Sequence, residues 1–146
     1  MTMTPNNQFL TDLERGKKEE MKVFEHFKKS YPNTKIVNGY KKEFDIEIPE
    51  KFCVEVKFDE RSINTGNYFI EAFYENSPSG INSTSAKLWV ISNGKQYLFV
   101  NTKEIKNCIK EWNLKLRTAI LFGKEVKFYL IKKHLLEYNG KFIQLD

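Results

Sequence analysis

The stretch Glu43-Phe-Asp-Ile-Glu-Ile-Pro-Glu-Lys-Phe-Cys-Val-Glu-Val-Lys-Phe58 decides the fold. Phe44, Ile46 and Ile48 alternate with Asp45 and Glu47. Phe52, Val54, Val56 and Phe58 alternate with Cys53, Glu55 and Lys57. This period of two, in β-branched and aromatic residues, predicts two strands. Pro49-Glu50-Lys51 breaks the alternation, so the strands fold back as a hairpin with one apolar and one charged face. A three-residue loop sets Ile48 opposite Phe52, and counting back sets Asp45 opposite Glu55. A slip of one residue would set Asp45 opposite Val54 and mix the faces.

Directly opposed side chains have Cβ atoms about 5 Å apart. Two carboxylates at that spacing repel, and a hard divalent cation between them reverses the sign, because Mg²⁺ takes carboxylate oxygens. Lys57, two residues beyond Glu55, projects from the same face. An ammonium there can orient a water or neutralise a phosphate oxygen. The bland alternative for such a strand is a solvated charged face.

Asp45 followed after nine residues by Glu55-Val56-Lys57 resembles the PD-(D/E)XK nuclease superfamily. The resemblance implies an α/β fold with a restriction-endonuclease-like core, a central mixed, mostly antiparallel sheet flanked by helices. It implies Mg²⁺ or Mn²⁺ held by Asp45, Glu55 and the carbonyl of Val56, with Lys57 assisting hydrolysis of a DNA phosphodiester. Phe44 stands where that family has proline. Gly16-Lys-Lys-Glu-Glu20 is similar to a pattern on the family's first helix and adds Glu20 to the catalytic candidates. Gly66-Asn-x-x-Ile-Glu71, Ser79-Gly-Ile, Thr84-x-Ala86 and Trp89-Val resemble small phage and bacterial nucleases of the same superfamily. Asn67, Glu71 and Thr84 become accessory candidates, whereas Lys87 stands where those nucleases are commonly acidic. Lys41 and Lys42, just before the hairpin, are placed to meet a phosphate backbone. The resemblance spans roughly residues 10–113.

Around this centre the chain reads in order. Residues 1–8 are polar and expected to be loose. Residues 9–31 predict a helix, with Thr11 as N-cap and Glu14 completing a capping box. Its stripe runs through Phe9, Leu13, Gly16, Val23, Phe24, Phe27 and Tyr31, with Glu20 at the centre and Glu14, Glu19 and Glu25 pointing away. Residues 35–38 predict a short strand before the Asn38-Gly39 turn. A polar loop over 59–67 precedes a strand over 67–74. Two more strands, 86–91 and 96–100, join across Asn93-Gly94. Residues 102–113 predict a helix capped by Asn101 and Glu104. Its stripe of Ile105, Cys108, Ile109 and Trp112 assigns Trp112 to the core rather than to base stacking. Residues 114–124 are basic and partly apolar. A strand over 125–131, a helical turn over 132–138 and a strand over 141–145 follow.

Composition sets the bounds. The 146 residues suit one domain over residues 1–146. A hydrophobic content of 40% with 14% aromatics argues against disorder. No apolar run approaches the length of a membrane span. The first eight residues lack signal-peptide character. Cys53 and Cys108 are isolated, as in reduced intracellular proteins, so a cytoplasmic setting is expected. His26 and His134 lie far apart, which argues against zinc or histidine-based catalysis. Lys and Arg number 24 against 19 acids, a net +5 compatible with nucleic acid. The expected function is a Mg²⁺-dependent DNA endonuclease, acting on branched, phage or host DNA, with a homodimer expected for cuts in both strands. The alternatives are a catalytically silent DNA-binding module and an anti-restriction-type interaction protein.

Overall fold

The computed structural model describes residues 5–37 and 44–145. In chain order the elements are helix α1 (Pro5–Ser30), strands β1 (Lys35–Ile36), β2 (Ile46–Ile48) and β3 (Phe52–Phe58), and the short helix α2 (Ser62–Thr65). Next come β4 (Asn67–Tyr74), β5 (Ser77–Pro78), a 3₁₀ turn over Gly80–Asn82, β6 (Leu88–Ser92), β7 (Tyr97–Asn101) and helix α3 (Thr102–Glu111). The chain closes with β8 (Arg117–Leu121), β9 (Lys124–Lys132), helix α4 (Lys133–Tyr138) and β10 (Lys141–Phe142).

The fold is α/β. The hairpin sits inside a six-stranded mixed sheet of order β1-β2-β3-β6-β7-β10. Ile48 faces Phe52 and Ile46 faces Val54, the register that the alternation demands. Strand β3 pairs parallel with β6, and the other pairings in this sheet are antiparallel. A parallel pair needs a long crossover. Here residues 59–87 make it, and they contribute β4 and β5 to a second, wholly antiparallel sheet of order β5-β4-β9-β8.

Alternation then assigns the layers. Ile46, Ile48, Val54, Val90 and Phe99 face α1 and pack against its Val23 and Phe27. Trp89, Ile91, Leu98 and Val100 face the other way, onto Tyr68, Ile70 and Ile131 of the second sheet and Ile105 of α3. Cys53, Glu55 and Lys57 alternate with Val54, so they project toward this second sheet.

Several expectations are corrected. Helix α1 spans Pro5–Ser30 among the described residues, so Thr11 lies inside it rather than at its N-cap. Glu19, expected to point away, is 5% exposed and belongs to the buried Glu19-Val23-Phe27 row, while Leu13 is 46% exposed. The row is rotated because the Tyr97 hydroxyl of β7 donates a hydrogen bond to Glu19 and makes its burial tolerable. Asn101 precedes α3 without a side-chain cap bond. Residues 62–65 form α2 inside the expected loop, and 117–121 form β8 where no strand was expected. The second sheet was likewise unforeseen. Among the described residues, no helix is long and apolar enough to cross a membrane.

Candidate active site

Asp45 is fixed by the sheet on both sides. Its N–H donates to Val54 O at 2.9 Å, and its carbonyl accepts from Val37 N at 2.9 Å. Its Oδ2 accepts the Val56 N–H at 2.7 Å. That bond bridges the two strands of the hairpin and aims the carboxylate along β3. Glu55 lies beside it, and Lys57 Nζ stands 3.1 Å from Glu55 Oε2. In the parallel pairing Glu55 is opposite Trp89 and Lys57 opposite Ile91, and Lys57 Nζ sits 5.7 Å from the centroid of the Trp89 ring. The structure therefore gathers Asp45, Glu55 and Lys57 on one face.

That face is not solvated. Asp45 is 5% and Glu55 9% exposed. The Lys57 side chain, 38% exposed, leads from the buried acids to the surface. Burial pushes the Glu55 carboxyl up to about 7, with the Asp45 carboxylate adding to the shift and Lys57 opposing it. For Lys57, burial works against the ammonium, but Glu55, Asp45 and then Glu71 outweigh it and raise its pKa.

These groups suit a divalent cation. Two adjacent buried carboxyl groups offer the hard oxygen ligands that a small divalent cation takes. Among the described residues no cluster of three or more His, Cys, Asp or Glu is placed to hold a metal, so further ligands would come from the backbone or water. The N–H and C=O of a strand residue leave on the same edge. With the Val56 N–H on Asp45, its carbonyl faces that edge as well.

The remaining candidates are dispersed. Glu71 is half-buried on β4, and its charge is felt at Lys57. Gly80, with φ +50°, abuts its backbone so closely that a Cβ would lie 2.2 Å from Glu71 O. Asn67 Nδ2 donates to Thr65 O, and Thr84 Oγ1 accepts the Ala86 N–H, so both side chains fasten local turns. Glu20 is half-buried on α1, the helix covering the opposite face of the first sheet. Lys41 and Lys42 lie outside the described residues.

Two features escaped the sequence reading. Trp89 is the platform beneath Lys57, and only the β3–β6 register reveals it. Lys87, whose N–H donates to Cys53 O, joins Lys103 and Lys106 around a cavity of about 490 Å³. The signal available for the latter was two lysines three residues apart at a helix start. Comparison with protein-family models, curated proteins and solved structures found no match.

Proposed function

We propose that the chain is a divalent-metal-dependent endodeoxyribonuclease of PD-(D/E)XK type. The observation that carries this reading is the buried Asp45–Glu55 pair with Lys57 in ionic contact at 3.1 Å. Two carboxyl groups and a lysine held together and largely out of solvent form the kind of site where perturbed ionisation marks function. Asp45, Glu55 and the Val56 carbonyl would hold Mg²⁺ or Mn²⁺, which when bound supplies Lewis acidity to water and to the scissile phosphate. Lys57 keeps its proton, and its partly exposed side chain stands where a phosphate would arrive. There it orients the attacking water or meets the charge developing on the phosphate. The Lys87, Lys103 and Lys106 cavity supplies positive charge for neighbouring phosphates.

The test is a cleavage panel of linear duplex, supercoiled plasmid, single strand and four-way junction, each with Mg²⁺, Mn²⁺ or EDTA. The wild type cuts at least one substrate with metal and none in EDTA. Asp45→Asn and Lys57→Ala each reduce the rate about 100-fold or more, the scale of losing one transition-state partner. Cleavage by Lys57→Ala at the wild-type rate would falsify the assignment. Binding without cleavage under every condition points to a silent DNA-binding module.

A further inference from the structure

Helix α3 ends in a closure that sorts two large apolar residues. The Asn113 N–H donates to Lys110 O at 3.2 Å and the Leu114 N–H to Ile109 O at 3.0 Å. Asn113 has φ 47°, the left-handed conformation that asparagine tolerates. This is a Schellman motif, whose hydrophobic contact joins the residue after the cap to the last turn. Leu114 and Ile109 accordingly pack against the core. Trp112, which helical periodicity assigns to that core, is left 55% exposed.

Trp112 lines a groove of about 360 Å³. Leucines from α4, β9 and the loop after α3 supply the rest of its apolar wall. Arg117 of β8, Lys132 of β9 and His134 of α4 supply the polar part, and no carboxylate among the described residues lines it. An exposed indole among cations, without an acid, is complementary to a nucleobase and its phosphates. Asn67 lines the groove as well and pairs with Lys132. On β4, Asn67, Phe69 and Glu71 share a face. Four strand residues, about 13 Å, separate the groove from Glu71, whose charge acts on Lys57.

We infer that this groove is a subsite for an unpaired nucleobase: the base stacks on Trp112 while Arg117 and Lys132 hold the adjoining phosphates of the same strand. The choice of DNA as ligand rests on the nuclease reading. The groove lies away from the metal ligands, so its occupancy is measurable without turnover.

The probe is fluorescein-labelled oligothymidylate of twelve nucleotides, titrated in EDTA and followed by anisotropy and tryptophan emission. The change in emission that belongs to Trp112 is the part lost in Trp112→Phe, which leaves Trp89 as the one tryptophan. Bound oligonucleotide is expected to quench the emission. Trp112→Ala weakens binding about fivefold or more at unchanged Tm, whereas Trp112→Phe keeps most of the affinity. Arg117→Ala with Lys132→Ala lowers the salt dependence of binding. The subsite is overturned if Trp112→Ala binds like wild type, if emission is unchanged at saturation, or if quenching follows protein concentration alone while light scattering shows a dimer covering the groove. The two readings fail separately. If Lys57→Ala cleaves normally but Trp112→Ala loses binding, only the catalytic assignment falls. If cleavage depends on Lys57 but Trp112→Ala binds normally, only the subsite falls.

Discussion

Glu55 holds its proton to about pH 7, against an ordinary 4.5, because it is buried beside a second carboxylate. Between those two values the folded chain keeps a proton that the unfolded chain has released, so metal-free stability falls as pH rises across that window and levels off above it. The decrease is on the order of 3 kcal/mol, from the 1.36 kcal/mol that each pKa unit carries. Urea melts in EDTA at pH 5, 6, 7 and 8 should show the decline in wild type and a flatter profile in Glu55→Gln. Equal profiles would mean that Glu55 ionises freely. Saturating Mn²⁺ should flatten the wild-type profile as well, since a metal ligand must be deprotonated. The shared face of Asp45, Glu55 and Lys57 was legible because alternation permits only one register. Their burial was not, because a polar strand face carries no mark of what will cover it. Trp112 fails differently: helical period assigned it to the core, and the backbone closure at Asn113 gave that place to Leu114.

Helix α1 rests on the first sheet through an apolar row with one acid in it. The Tyr97 hydroxyl donates to Glu19, and burial together with that carboxylate pushes its pKa well above the usual tyrosine range. Tyr97→Phe removes the donor and leaves a buried carboxylate short of a partner, which should cost about 1–3 kcal/mol. Replacing both, Glu19→Leu with Tyr97→Phe, should recover much of the loss, because neither polar group is then stranded. Denaturant melts of the two single variants and the double variant decide it, and strict additivity would show that the bond contributes nothing. Strand β4 was legible to the residue, and so was the turn at Asn93-Gly94, since each is written in adjacent side chains. Strand β8 was hidden because residues 117–121 lack clean alternation and become a strand only by pairing with β9. The second sheet follows from β4 meeting β9, a partnership between distant segments that no local pattern announces.

At the scale of the molecule, positive charge surrounds a buried negative pair. Lys87, Lys103 and Lys106 flank one cavity, and Arg117 and Lys132 line the groove with Trp112, while the acids of the hairpin are buried. A polyanion would meet cations on the surface before it reached the carboxylates. The crossover between β3 and β6 also orders events in time. The β2–β3 hairpin closes over three residues, so Asp45 and Glu55 come face to face early. The second sheet, toward which they project, depends on Asn67 finding Lys132 across much of the chain, and loop closure makes that pairing slow. That order leaves the two acids wet at the folding barrier as the expected outcome, with any gain from a cation coming on the downhill side. Mn²⁺ should then leave the refolding rate unchanged and slow unfolding, and Glu55→Gln should show a φ-value near zero. Stopped-flow chevrons with Mn²⁺ and with EDTA would have superimposed refolding limbs and separated unfolding limbs; a shifted refolding limb would mean that the carboxylates are enclosed before the barrier is crossed.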